Sequence, residues 1–140
     1  MRFFRILFSL VLLALTACNT NNNEEQSLYI ISTNDMHASI EAMPRLATLV
    51  KEYEALGEVV VVDSGDRVTG NAYVDDDHRP GVPMIELMNE IGYDVVTLGN
   101  HEFDKGRDVL NQMVEASDFR WVCANMCDLK GDSKIKPYTT

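Results

Sequence analysis

Short apolar runs alternate with longer amphipathic segments through most of this sequence. The runs are rich in β-branched residues, which is typical of short strands covered on both faces. They lie at residues 28–33, 59–62, 95–98 and 119–124. Apolar residues recur at helical spacing between them, in residues 44–56, 82–91 and 107–116. This alternation predicts an α/β fold in which helical crossovers join parallel strands.

Glycines follow two of the predicted helices. Gly57 comes directly after the first helix and Gly92 after the second. Glycine adopts the left-handed conformation that closes many helices, so we expect both residues at helix C-caps.

Residues 71–83 form the one irregular stretch between predicted elements. They contain three adjacent aspartates, Asp75 to Asp77, followed by His78. These aspartates lack the alternating ligand spacing of a calcium loop. We therefore interpret the stretch as a solvated loop.

Polar residues directly follow three of the predicted strands. Their sequences are Asn34-Asp35-Met36-His37, Asp63-Ser64-Gly65-Asp66 and Gly99-Asn100-His101-Glu102-Phe103-Asp104. A single aspartate after a strand is usually a turn residue or a helix N-cap. Three such endings meet at one edge of a parallel sheet, where α/β folds bind ligands. Carboxylate, imidazole and amide groups suit zinc, manganese, iron or cobalt better than calcium. The sequence thus predicts a cation site at this edge.

These segments, together with Thr69-Gly70, resemble the first three motifs of the calcineurin-like metallophosphoesterases. The run from Asn100 to Asp104 is similar to the secreted bacterial 5′-nucleotidase branch, and the resemblance extends over residues 28–126. It implies the N-terminal part of such a domain, which is the first half of a four-layer α/β/β/α sandwich.

The resemblance also implies two bound divalent metal ions, drawn from zinc, manganese, iron and cobalt. Asp35 and His37 would bind the first ion and Asp66 would bridge both. Asn100 would bind the second ion. Such a pair lowers the pKa of a shared water and neutralises phosphoryl oxygens, so that water attacks phosphorus.

His101 has a catalytic role in this comparison. It would stabilise the phosphoryl group in the transition state, and Asp104 would orient its ring. A structural histidine bonded to a neighbouring loop is the alternative. We expect Glu102 to be a structural hydrogen-bond acceptor. Ala38 stands where relatives commonly have glycine, so its methyl group is expected to alter the fine geometry of the site.

The family completes its metal site with later histidines, and the 5′-nucleotidases recognise the base with a separate C-terminal domain. Residues 126–140 contain no histidine. We therefore expect residues 28–140 to be the N-terminal part of a longer metallophosphatase domain. The 140-residue piece alone is expected to be inactive.

The implied activity is metal-dependent hydrolysis of phosphate esters, above all of 5′-nucleotides to nucleosides and phosphate. Cyclic nucleotides, nucleotide sugars and other phosphate esters fit the same motifs. The alternative belongs to a different class of protein. It is a non-catalytic truncated lipoprotein that uses half of the fold as a binding module.

The first residues have the pattern of a lipoprotein signal peptide. Two arginines precede an apolar run too short to span a bilayer, and Leu15-Thr16-Ala17-Cys18 resembles a lipobox. We expect residues 1–17 to be removed and Cys18 to carry the lipid anchor. Residues 18–27 are polar and are predicted to be a flexible tether. The protein would then be extracytoplasmic, on the inner or outer membrane of a bacterium.

The net charge of −10 indicates no basic surface for a nucleic-acid duplex. An acidic protein that acts on phosphates can obtain local positive charge from metal ions. Cys123 and Cys127 could form a disulfide only if the chain turns sharply between them, and this pairing stays open.

Overall fold

The computed structural model describes residues 27–126 and 134–140. Its main elements are β1 Leu28–Thr33, α1 Met43–Glu54, β2 Glu58–Asp63, α2 Ala72–Asp75, α3 Val82–Ile91, β3 Val95–Thr97, α4 Arg107–Ala116, β4 Arg120–Val122 and β5 Ile135–Lys136. Short 3-10 helices precede α1 and α4, at Ile40–Ala42 and His101–Phe103. The five strands pair in chain order and all pairs are parallel. The predicted α/β fold is confirmed.

One face of the sheet carries the hydrophobic core. The strand register aligns Asp63 with Val96, Val96 with Trp121, and Trp121 with Ile135, and all four residues are buried. Apolar side chains of α1, α3 and α4 complete the core on this face; they include Val50, Met84, Ile85, Met88, Leu110 and Met113. Burial of these side chains is the main force that holds the helices against the sheet.

The opposite face of the sheet is much less covered. Leu28 and Ile30 on β1 are 57% and 68% exposed, and Val60 and Val62 on β2 are half-buried. The described residues form a single sheet. A second sheet packed on this face, as in a four-layer sandwich, therefore stays a prediction.

The glycine at the end of α1 has a different role from the one expected. Residue Ala55, in a right-handed conformation, caps α1, and Gly57 does not have a positive φ. A Cβ atom on Gly57 would lie 2.5 Å from the carbonyl oxygen of Ser27, so glycine is needed for close approach of the chain to β1. Gly92 does cap α3 in the left-handed conformation, with φ of 89°.

The interpretation of residues 71–83 as a solvated loop is wrong in part. Residues Ala72–Asp75 form the short helix α2, and the side chain of Asn71 caps it by accepting a hydrogen bond from the Tyr73 amide at 3.0 Å. Val74 of this helix is fully buried.

Several predictions concern parts of the chain outside the described residues. Residues 1–26 contain the expected signal peptide, Cys18 and nearly all of the tether, and residues 127–133 contain Cys127. None of the helices in residues 27–126 and 134–140 is long and apolar enough to cross a membrane.

The difference between the two sides of the helical layer can be measured with matched substitutions. Leu110 on α4 is fully buried, whereas Leu49 on α1 is 40% exposed. We expect Leu110→Ala to lower the free energy of unfolding by about 2–5 kcal/mol, because it leaves a cavity in the core. Leu49→Ala should cause a much smaller loss in the same urea titration. Equal losses would show that α4 does not pack as described.

Candidate active site

Two loops at the carboxyl edge of the sheet are joined through their backbones. The amides of Asp35, His37 and Ala38, which follow β1, donate hydrogen bonds to the carbonyls of Gly65, Asp66 and Arg67, which follow β2. The donor–acceptor distances are 3.0, 3.0 and 2.8 Å. The parallel register therefore brings the first two polar segments into direct contact.

Glu102 joins the third loop to the second. Its carboxylate accepts hydrogen bonds from the amides of Asp66 at 3.1 Å, Arg67 at 3.0 Å and Gly99 at 2.6 Å. The side chain of Glu102 is buried, with 1% of its residue surface exposed. The prediction that Glu102 is a structural hydrogen-bond acceptor is confirmed.

A buried arginine lies beneath these loops. Nε and Nη2 of Arg67 contact Oδ1 of Asp63 at 2.8 and 2.7 Å, and Nη2 also donates to the Thr97 carbonyl. Its guanidinium lies 4.6 Å from the ring centre of Trp121, and its Nη1 lies 3.8 Å from Glu102 Oε1. Sequence analysis missed this cluster, because Asp63 and Arg67 look like ordinary loop residues beside Asp66. The buried side chains of Asp63 and Arg67 pack against the loops that carry the site.

A ring nitrogen of His37 faces a carboxylate oxygen of Asp35. Nδ1 of His37 lies 3.1 Å from the carbonyl oxygen of Thr69, which can only accept, so Nδ1 carries the proton. In the neutral ring the lone pair is then on Nε2, and the Nε2 atom lies 3.9 Å from Oδ1 of Asp35. Two ligands of one tetrahedral cation, each at about 2.1 Å, lie about 3.4 Å apart, so a cation bound to both atoms requires them to move closer. The two donor types fit the chemistry of a metal ligand set.

Asp66 lies beside this pair and contacts the third loop. Its Oδ1 accepts a hydrogen bond from the His101 amide at 2.9 Å, and its carboxylate packs so closely against Gly99 that a Cβ atom there would overlap it. The rings of His37 and His101 stand edge to face, 4.8 Å between centroids. The structure therefore brings together Asp35, His37, Asp66 and His101.

Asn100 lies next to Gly99, and its side chain is exposed. It lines an open groove together with Phe103, Asn125 and Met126. Asn125 also accepts a hydrogen bond from the thiol of Cys123 at 3.2 Å. Asn125 thus lies in a turn and also lines this groove.

Within residues 27–126 and 134–140, no three His, Cys, Asp or Glu side chains are grouped closely enough to hold a metal ion. The donor types fit divalent cations, but the described residues form only part of a coordination sphere. The assignment of Asp35, His37, Asp66 and Asn100 as metal ligands therefore stays a prediction.

The predicted contact between Asp104 and His101 is present. Nδ1 of His101 lies 2.7 Å from Oδ2 of Asp104. This hydrogen bond is the main cause that raises the pKa of His101 above its usual value, and nearby carboxylates act in the same direction. It is also the main cause that lowers the pKa of Asp104. The pair favours a charged imidazolium whose Nε2 is left for another partner.

The loops that follow β1 and β2 contain a concentration of unusual backbone conformations. Within residues 27–126 and 134–140, five non-glycine residues have positive φ, and all lie in these two loops; they are Asp35, His37, Ala38, Asp66 and Thr69. Such conformations persist only where surrounding contacts hold them, and they cluster at functional sites.

Residues 28–134 match the family model described as calcineurin-like phosphoesterase. The chain is a member of this family. It is 33% identical over 135 residues to the trifunctional nucleotide phosphoesterase protein YfkN of Bacillus subtilis, covering 79% of this chain and 9% of that protein. It is 31% identical over 151 residues to a 5′-nucleotidase of Vibrio vulnificus, covering 94% of this chain and 27% of that protein.

The calcineurin-like phosphoesterase fold is also found among solved structures. A 5′-nucleotidase precursor from Thermus thermophilus superposes with a TM-score of 0.69 at 28% identity, covering 79% of this chain and 25% of that one. The chain therefore spans about a quarter of the length of these nucleotidases, and a smaller share of YfkN.

Replacing Asp104 by Asn should lower the pKa of His101, because the charged acceptor is lost. Histidine ring signals in an NMR titration, recorded with chelator present, measure this directly. A raised pKa in the folded state stabilises the fold below the unfolded-state pKa of histidine, and that contribution is lost as pH rises through the folded-state pKa. The parent protein should lose more stability than Asp104→Asn over this pH window.

The control for this experiment is Asp77→Asn. Asp77 contacts His78 at 3.0 Å and belongs to a different part of the surface. It should leave the titration of His101 unchanged. An unaltered His101 pKa in Asp104→Asn would contradict the assigned contact.

Proposed function

We propose that this chain is the N-terminal part of a metal-dependent phosphoesterase that hydrolyses 5′-nucleotides to nucleosides and phosphate. The main support is one arrangement at the sheet edge. The acceptor pair of Asp35 and His37 stands beside Asp66, and the His101–Asp104 pair adjoins them. The names of the two relatives, a nucleotide phosphoesterase and a 5′-nucleotidase, support the substrate class.

In this proposal carboxylate, imidazole and amide groups would hold two divalent ions. Asp35 and His37 would bind one ion, Asn100 would bind the other, and Asp66 would contribute to both. Zinc, manganese, iron and cobalt all suit these donors. When bound, such ions supply a hydroxide nucleophile near neutral pH and neutralise phosphoryl charge.

His101 acts on the substrate rather than on the ions. Asp104 holds Nδ1, so Nε2–H of the imidazolium is available to donate to a phosphoryl oxygen or to the leaving oxygen of the nucleoside. Transfer of this proton to the leaving oxygen yields the nucleoside hydroxyl and a neutral imidazole. The raised pKa of His101 supports this role, since it keeps the ring protonated closer to neutral pH.

The first residues complete the proposal. A signal peptide at residues 1–17, a lipidated Cys18 and a tether at residues 18–27 would place the domain at residues 28–140 outside the cytoplasm. There it would act on extracytoplasmic nucleotides or other phosphate esters. The remaining metal ligands would come from further chain of a longer gene product.

A second candidate function is a non-catalytic module that binds a partner through half of the fold. Two observations favour it: the described residues supply an incomplete set of metal donors, and β1 exposes apolar side chains. A module of this kind would need neither His101 nor bound metal for its function.

Replacing His101 by Ala in the longer gene product separates catalysis from metal binding. We expect the rate of phosphate release from 5′-AMP to fall about 10²–10⁴-fold, as for loss of a general acid. Metal content, measured by mass spectrometry of the purified protein, should stay unchanged. Loss of metal with little loss of rate would contradict the role of His101.

Two controls accompany this measurement. His78→Ala alters the exposed histidine paired with Asp77 and should change neither quantity. The 140-residue chain alone should bind divalent metal weakly and release no phosphate. Robust metal-dependent hydrolysis by that chain would show that its site is already complete.

A further inference from the structure

Thr69 has a backbone conformation that needs an explanation. Its φ is +69°, which is a genuine outlier for a β-branched residue. Strain of this kind persists only when neighbouring contacts fix it. Some group must therefore hold Thr69 in place.

The carboxylate of Asp75 is that group. Its Oδ1 accepts a hydrogen bond from the Thr69 amide at 3.1 Å, and its Oδ2 accepts from the amides of Gly70 at 2.8 Å and Asn71 at 3.0 Å. Three successive amides thus converge on one carboxylate, in the manner of a backbone anion nest. We call this arrangement of Asp75 with residues 69–71 the Asp75 clamp.

The clamp sets two contacts of Thr69 with the candidate site. The carbonyl of Thr69 accepts the Nδ1 proton of His37 at 3.1 Å, and the Thr69 side chain adds to the effect of His101 in lowering the pKa of Asp104. Thr69 is therefore in contact with a predicted metal ligand and with the residue that orients His101. Gly70 lies equally close, since a Cβ atom there would be 2.6 Å from the carbonyl oxygen of His37.

We propose that Asp75 is a positioning residue for the metal site: by holding Thr69 in its left-handed conformation, it aims Nε2 of His37 at the cation. This inference rests on the proposed function, because it assumes that His37 binds metal. A backbone carbonyl that accepts from the second nitrogen of a ligand histidine fixes its tautomer and orientation. Asp75 acts one step further out, through Thr69.

The test compares two aspartates of the same segment. Asp75→Asn replaces one of the accepting oxygens by an NH₂ group and breaks the clamp. Asp77→Asn removes the same charge two residues away, where the carboxylate accepts from the Arg79 amide at 2.8 Å and contacts His78. Both variants are made in the full 140-residue chain, purified in detergent. Binding of Mn²⁺ is followed by the electron paramagnetic resonance signal of the free ion.

We expect Asp75→Asn to weaken Mn²⁺ binding about tenfold, the lower range for loss of an outer-shell partner. Asp77→Asn should bind as the parent chain does. Circular dichroism of the metal-free chains establishes that each variant is folded at the assay temperature.

A rescue experiment separates positioning from general loop stability. Asparagine adopts the left-handed conformation more readily than threonine. The double variant Thr69→Asn/Asp75→Asn should therefore recover most of the lost Mn²⁺ affinity. If Asp75→Asn alone does not fold, the double variant decides the question by folding and binding Mn²⁺, or by failing to do so.

The possible failures are distinguishable. Equal Mn²⁺ affinity in Asp75→Asn, Asp77→Asn and the parent chain would overturn the role of Asp75 and leave the proposed function standing. A double variant that gains nothing over Asp75→Asn would also overturn it. Absence of Mn²⁺ binding in the parent chain would overturn the metal site, and the inference with it.

Discussion

The carboxylate of Glu102 fixes the relative positions of the loops that carry the candidate site. Parallel pairing brings the strand ends to one edge of the sheet, but it does not set the distances between side chains there. Glu102 does this by accepting from amides on both sides, at Gly99 and at Asp66 and Arg67. Burying a carboxylate without hydrogen-bond partners costs free energy. Loop conformations that lack these hydrogen bonds are therefore disfavoured. Arg67 adds a nearby positive charge and ties the same loop to Asp63 on β2.

The hydrogen bonds between the loops also hold backbone conformations that are unfavourable by themselves. Ala38 illustrates this, because its φ is +56° and its methyl group is fully buried in the core. A left-handed L-residue costs about 1–2 kcal/mol, which explains why glycine suits this position. Here the amide of Ala38 donates to the Arg67 carbonyl at 2.8 Å, and burial of the methyl group offsets part of the strain. The methyl group thus packs into the core. Alanine in place of glycine at this position therefore affects the backbone energy more than it crowds the site.

Periodicity in the sequence was enough to predict β1, α3 and α4 with the bounds found in the structure, because each has a strong apolar pattern. The two-residue strand β5 has no detectable period, so it was missed. The placement of Asp35, Asp66 and His101 at one edge followed from strand ends alone. The roles of Asp63, Arg67 and Asp75 could not be predicted in this way, since the sequence around a charged residue does not show whether it is buried or which partner it has. One partner of Arg67, for example, is Glu102, which lies 35 residues away in the chain and accepts a hydrogen bond from the Arg67 amide.

Two deficits of the described residues bear on the choice between the candidate functions. The first is energetic: the face of the sheet that bears Leu28 and Ile30 leaves apolar surface in water, which favours association with further protein. Either candidate function would remedy this, because a partner or a further part of the chain could cover the face.

The second deficit is chemical: Asp35, His37 and Asp66 adjoin one another, yet no three such side chains form a closed metal site in residues 27–126 and 134–140. Of the two candidate functions, only the phosphoesterase requires a complete set of metal ligands. Three features are costly and are not required by a simple binding surface: the left-handed conformations of Asp35, His37 and Asp66, the burial of Glu102 and Arg67, and the His101–Asp104 pair. Their concentration at one edge favours the longer phosphoesterase.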